Sequence, residues 1–153
     1  LAFKPIEKLK LEIGAAYTGW KSYDQLAIEF ENPAAVGAPS KEVVTPKDWD
    51  NVWRYQVGAE YSLNQFVDLR LGYVYDQTPD PDNTVDYLIP ANDRDIYGVG
   101  AGFHYKDWTL DLSYDYLVIR DRDIEARPQA GILPSKFRNG DAHMVGASLS
   151  TKI

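Results

Sequence analysis

Apolar and polar residues alternate with period two along six stretches of this chain. Leu9, Leu11, Ile13, Ala15 and Tyr17 are interleaved with Lys10, Glu12, Gly14, Ala16 and Thr18. The same rhythm sets Trp53, Tyr55, Val57, Ala59 and Tyr61 against Arg54, Gln56, Gly58 and Glu60, and Val67, Leu69, Leu71, Tyr73 and Tyr75 against Asp68, Arg70, Gly72, Val74 and Asp76. It continues with Tyr97 to Tyr105 against Gly98, Gly100, Gly102 and His104, and with Trp108 to Tyr116 against Thr109, Asp111, Ser113 and Asp115. Val145, Ala147, Leu149 and Thr151 close the series. Alternate side chains of a strand point to opposite faces, so each stretch predicts a strand with one apolar and one polar face. No long stretch repeats at 3.6 residues. The chain therefore reads as all-β and antiparallel.

The connections alternate in length. Short turns are predicted at 4–8, 62–65 and 106–107, and long polar, proline-rich connections at 31–50, 77–94 and 121–140. Membrane barrels show this asymmetry, with short periplasmic turns and long extracellular loops. Strands 51–61, 95–105 and 142–152 would then run inward, and 66–75 and 108–119 outward. The first strand must run outward from Leu9 to Glu31, yet its apolar parity switches from odd (Tyr17) to even (Leu26, Ile28, Phe30) around Gly19. A β-bulge at Gly19 explains the switch; a separate strand at 23–30 is the rival reading.

Composition sharpens this picture. No apolar run reaches the roughly 18 residues of a transmembrane helix, which says nothing against a barrel. Eleven Tyr and four Trp stand beside one Met and no Cys, and Tyr and Trp favour membrane–water interfaces. Trp53 and Tyr61 share a face eight residues apart, roughly 20 Å along the normal of a tilted barrel, which matches the gap between two aromatic girdles. Tyr97 and Tyr105 repeat the spacing. A net charge of −7 argues against nucleic acid. The start Leu1-Ala2-Phe3-Lys4 has no basic segment leading an apolar one.

Several motifs, in order, carry a family resemblance. They are Tyr17-Thr18-Gly19-Trp20-Lys21-Ser22-Tyr23-Asp24; Trp53-Arg54 followed by Val57-Gly58-Ala59-Glu60-Tyr61; Leu69-Arg70-Leu71-Gly72; Asp76-Gln77-Thr78-Pro79-Asp80-Pro81; and Ile89-Pro90-Ala91-Asn92-Asp93-Arg94. Together the chain resembles the last part of FadL-type outer-membrane transporters of long-chain fatty acids and other hydrophobic compounds. The end, Thr151-Lys152-Ile153, departs from the aromatic residue that commonly finishes such strands. The resemblance implies a fourteen-stranded transmembrane β-barrel with an N-terminal plug. Residues 1–153 would supply its last six or seven strands as one incomplete domain in the bacterial outer membrane. Open strand edges are costly in lipid, so the expected partners are the missing N-terminal strands or another copy of the chain, together with outer-membrane lipid and a fatty acid or aromatic hydrocarbon as ligand.

Such a transporter does no bond chemistry and needs no cofactor or metal. Arg54 and Arg70 project to the lumen by parity and are candidates to face a ligand carboxylate; the alternative is an ion-pair ladder with Glu60, Asp68 and Asp111. Gly98, Gly100 and Gly102 strip side chains from one lumen-facing strand, making room for ligand or plug, or for close strand packing. Without a following helix they are not a phosphate loop. Asn32-Pro33-Ala34 reads as a proline turn, and the loops around Asp80, Asp82, Asp121 and Asp123 as solvated charge. His104 and His143 lack zinc-site spacing and read as lumen or interface residues. Two other function classes stay open: a barrel enzyme acting on lipids, which would need a Ser nucleophile with a His base in reach and could draw on Ser113 and His143, and a soluble lipid-binding β-sandwich or calyx. In the last, the apolar face of each strand would be buried.

Overall fold

The computed structural model describes residues 1–88 and 91–152. Ile89 and Pro90 of the Ile-Pro segment, and the terminal Ile153, lie outside the described residues. In chain order the strands are β1 (Ala2–Ile6), β2 (Leu9–Thr18), β3 (Gln25–Glu29), β4 (Glu42–Pro46), β5 (Val52–Asn64), β6 (Val67–Asp76), β7 (Arg94–Tyr105), β8 (Trp108–Ile119), β9 (Arg122–Ile124), β10 (Ser135–Phe137) and β11 (Gly140–Thr151). Seven of them form one antiparallel sheet in the order β1-β2-β5-β6-β7-β8-β11.

The register preserves the sequence parity across the whole sheet. Ile13 lies opposite Val57, Val57 opposite Tyr73, and Tyr73 opposite Tyr97, which faces Tyr116. On the other face Glu60 lies opposite Arg70, Arg70 opposite Gly100, and Gly100 opposite Ser113. Because the period is two, a slip of one residue would invert a strand's faces; the register shifts only beside two of the turns, between Phe3 and Ile6 of β1 and between Ser62 and Asn64 of β5. Two-residue turns join the strands at one pole. Tyr105 pairs with Trp108 across Lys106-Asp107, where Lys106 takes φ 54°, the backbone a tight hairpin requires. Asn64 Oδ1 accepts the Phe66 N–H (2.8 Å) in the β5–β6 turn, which falls slightly later than the sequence indicates because β5 extends to Asn64 past an irregularity at Ser62.

The apolar face has no covering layer among the described residues. Leu71, Val99 and Leu112 remain exposed, and Val145 is 83% exposed. Among the described residues the only buried apolar cluster is Val85, Ile124 and Ile132 with Phe137 against it, and it lies in the loops. This arrangement overturns the soluble sandwich or calyx, in which the apolar face would be packed inside. Aromatic rings mark the two edges of the exposed band. Tyr17, Trp53, Tyr55, Tyr73 and Tyr97 lie toward the loop pole, with Tyr17 and Trp53 centroids 5.0 Å apart and Tyr73 and Tyr97 5.3 Å apart. Tyr61, Tyr105 and Trp108 lie at the turn pole.

One expectation needs correction. There is no bulge at Gly19. β2 stops at Thr18, Trp20–Ser22 form a 3₁₀ turn closed by Tyr23 N–H to Trp20 C=O (2.8 Å), and β3 pairs with β4 rather than with the sheet. The parity switch marks a new ribbon inside the first long connection. A strand there does not reverse the barrel order, since both strands of the ribbon belong to the same loop. Asn32-Pro33-Ala34 leads into a 3₁₀ turn that ends on Gly37 at φ 67°.

Candidate functional site

The polar face carries one ion-pair ladder. Arg70 donates Nε to Glu60 (2.7 Å) on β5 and Nη1 to Asp111 (2.6 Å) on β8. Asp111 lies two strands away, beyond β7. The span is possible because β7 is bare there: a Cβ on Gly102 would sit 3.0 Å from both Arg70 Nη2 and Asp111 Oδ1, and one on Gly100 would sit 3.1 Å from the Leu112 carbonyl oxygen. Gly98 is just as confined, with the Asp115 carboxylate 2.5 Å from its Cβ position. Asp68, the third acid expected in the ladder, instead pairs with His104 Nε2 (2.7 Å), whose Nδ1 meets Thr109 Oγ1 (3.1 Å). Two shallow depressions of about 310 and 450 Å³ flank Arg70. Gly102→Val should therefore break the Arg70–Asp111 bridge and cost about 1–2 kcal/mol, the net worth of a charged hydrogen bond. The urea midpoint of the intact barrel measures it; an unchanged midpoint would show that the bridge adds nothing.

Arg54 behaves differently. Asp76, its cross-strand neighbour, gives its carboxylate to Arg94 (2.6 Å), and no ion pair or hydrogen bond of the Arg54 side chain is found among the described residues. Arg54 lines a cavity of about 410 Å³ on the polar face at the loop pole, walled also by Ala16, Trp20, Trp49, Val52 and Pro79. Trp49 is fixed edge-on against Trp20 (5.2 Å) and Tyr23 (4.9 Å). Its Nε1, and the hydroxyl of Thr78 in the same wall, are buried without a hydrogen-bond partner. Two other polar wall groups are occupied: Gln77 Oε1 accepts the Trp53 N–H, and Asn92 Nδ2 donates to the Arg120 and Asp121 carbonyls. Sequence parity finds Arg54. Trp49 and Thr78 lie in loops, where parity has no meaning.

Above this cavity the long loops lock together. Arg122, 7% exposed, donates to Asp82 Oδ1 (2.9 Å) and to the carbonyls of Asp80 (2.7 Å) and Ala91 (2.5 Å). Arg127 donates to the Asn83 and Val85 carbonyls. Lys47, 3% exposed, bonds Asp86 (2.5 Å), and its carbonyl accepts the Thr84 hydroxyl (2.6 Å). The loop carboxylates are thus not simply solvated charge. Asp80 is 4% exposed; burial pushes its carboxyl above the ordinary range, with Arg122 and Lys47 pulling it partly back. Asp121 and Asp123 pair with Arg138.

His143 lies on the apolar face near the loop pole, stacked 4.9 Å from Tyr116 and bonded to the Tyr114 hydroxyl (2.6 Å). Ser113 lies opposite Gly146 on the polar face. The sheet therefore separates Ser113 from His143.

Comparison with known proteins places this geometry. The family model described as outer membrane protein transport protein (OMPP1/FadL/TodX) matches residues 1–152. Outer membrane protein P1 of Haemophilus influenzae is 31% identical over 72% of this chain and 23% of its own length. Alkane uptake protein A of Marinobacter nauticus is 26% identical over 93% of this chain and 35% of its own length. The chain thus spans about a quarter to a third of these curated relatives. The crystal structure of a Pseudomonas aeruginosa FadL homologue superposes with a TM-score of 0.72 at 23% identity, covering 97% of this chain and 31% of that one, so the strands share that fold.

Proposed function

Because this chain belongs to the OMPP1/FadL/TodX family of outer membrane transport proteins, we propose that residues 1–153 form the C-terminal wall of a barrel that passes hydrophobic small molecules across the outer membrane. The observation that carries this reading is the sheet itself: one continuous apolar face with no covering layer, backed by a polar face. Lipid supplies the missing contact for the first face, and a lumen explains the second. The free edges of β1 and β11 have no partner within the described sheet, and unpaired backbone groups cost several kcal/mol each in a bilayer. Strands from the rest of the parent chain are the partners proposed for them; a second copy of the chain is the alternative.

No bond is made or broken in this function. Transfer of ligand from water is driven by roughly 0.8 kcal/mol per methylene buried. Arg54 is the inward cation proposed to meet ligand. Arg70, held by two carboxylates, is proposed to brace the wall beside it. Gly98 and Gly102 are proposed to let the side chains of Asp115 and Arg70 cross β7 close to its backbone, and Gly100 to keep the same strip bare. The similarity to an alkane uptake protein supports an apolar cargo, and fatty acids and aromatic hydrocarbons are the candidate classes. Removing the parent protein should lower cellular uptake of radiolabelled palmitate or hexadecane at least five-fold and leave glucose uptake unchanged. Equal uptake of all three compounds in both strains would overturn the proposal.

A further inference from the structure

We propose that the loop cap is an acid-tightened latch: the charge on Asp80 is its weakest joint, and protonating that one carboxyl draws the three long loops together. The latch does not depend on what the barrel carries. Asp80 is the only buried carboxylate among the described residues. Its Oδ1 has no hydrogen-bond partner, and its Oδ2 lies 3.8 Å from Arg122 Nη1, too far for a good hydrogen bond. The cations around it are committed elsewhere. Arg122 on β9 is spent on Asp82 and on the Asp80 and Ala91 carbonyls. Lys47, just after β4, bonds Asp86 of the second loop (2.5 Å). Arg127 of the third loop turns both Nη groups to the Asn83 and Val85 carbonyls. Three cations thus meet three carboxylates, Asp80, Asp82 and Asp86, and Asp80 is the acid left without a close partner.

A buried charge without a close partner is costly, and the neutral acid is easier to bury. Burial pushes the Asp80 carboxyl above its ordinary value, Arg122 and Lys47 pull it partly back, and Asp86 adds to the rise. The folded cap therefore holds this proton more tightly than the opened loops do. The resulting stabilisation is fully present below the ordinary carboxylate value and is lost as pH rises through the raised one. The position gives that charge leverage. Arg122 clasps the Asp80 and Ala91 carbonyls, near the two ends of the second loop. Pro79 and Ala91 are walls of the Arg54 cavity, and the Pro79 carbonyl accepts the Asp50 N–H of the first loop (2.8 Å). A medium acid enough to protonate Asp80 thus closes the wall above this cavity, and a neutral one loosens it.

The test is hydrogen–deuterium exchange of the intact parent barrel in nanodiscs, corrected for intrinsic exchange and followed from about pH 4 to about pH 8. The readout is the opening of segments 77–86 and 121–127. In wild type the open population should rise at least ten-fold across that range. Asp80→Asn should abolish the rise and hold opening within two-fold of the wild-type acid value throughout. Asp82→Asn removes the exposed acid from the same arginine and should keep the rise. Heat-modifiable mobility on gels verifies that each variant is folded; should Asp80→Asn not fold, Asp80→Ser carries the same prediction. A flat wild-type profile overturns the latch, and so does a variant lacking the Asp80 carboxyl that keeps the full rise.

Discussion

Arg122→Ala is expected to loosen the loop cap by about 3–5 kcal/mol, the usual cost of removing one partner from a buried charged network. Arg122 is nearly fully buried and ties together the Asp80 and Ala91 carbonyls and the Asp82 carboxylate. Alanine would strand those carbonyls and leave Asp80 with less compensation. Limited proteolysis of the intact barrel reads the effect directly: cleavage within 77–93 and 120–139 should accelerate by two orders of magnitude or more. A cleavage rate within three-fold of wild type would show that the loops are held some other way. Asp80→Asn is the matched control. Asp80 Oδ1 has no hydrogen-bond partner, and burial raises the carboxyl above its ordinary value of 3.8. An acid with a raised folded-state pKa binds more protons folded than unfolded in the window just above that ordinary value, so stability falls as pH rises through it. The neutral isostere at pH 7 should thus leave the cap at least as resistant as wild type.

The sheet was legible because its physics is periodic. A strand between lipid and lumen must alternate, and the parity of Val57, Leu71, Val99 and Leu112 holds across four neighbouring strands. Turns were legible for a related reason: a two-residue hairpin has few solutions, and Lys106-Asp107 takes one of them. Parity misplaces the first long connection at Gly19 because it records which face a residue occupies and not which sheet it joins. A ribbon formed by β3 and β4 within one loop gives the same parity switch as a bulge.

The loops were the least legible part. Asp80 and Asp82 look alike in the sequence, yet one is buried and the other exposed, although Arg122, some forty residues away, reaches both. The polar face was read in part. Parity placed Arg54 and Arg70 together; only the structure distinguishes them, since Arg70 has two acids and Asp76 turns from Arg54 to Arg94. The glycines of β7 are explained by the side chains that cross them, Arg70 above Gly102 and Asp115 beside Gly98, and no reading of β7 by itself reveals those neighbours.

The sharpest test of the two-faced sheet compares adjacent strands at one level. Leu112 on β8 lies between Ala101 and Ala147 on the apolar face, away from both aromatic edges, while Ser148 on β11 lies opposite Asp111 on the polar face. Leu112→Arg places a cation against acyl chains and should cost about 2–4 kcal/mol, the range for a charge near the midplane of a barrel's lipid face. Ser148→Arg adds the same group facing the lumen, beside a carboxylate, and should change stability by less than about 1 kcal/mol. Reversible urea unfolding of the intact barrel in lipid vesicles gives both values. The contrast matters more than either magnitude, because a general intolerance of arginine would penalise the two alike. If Ser148→Arg proves the more damaging, the faces are inverted and the Arg54 cavity opens toward lipid instead of the lumen. If both are tolerated, this band of the sheet does not meet acyl chains at all.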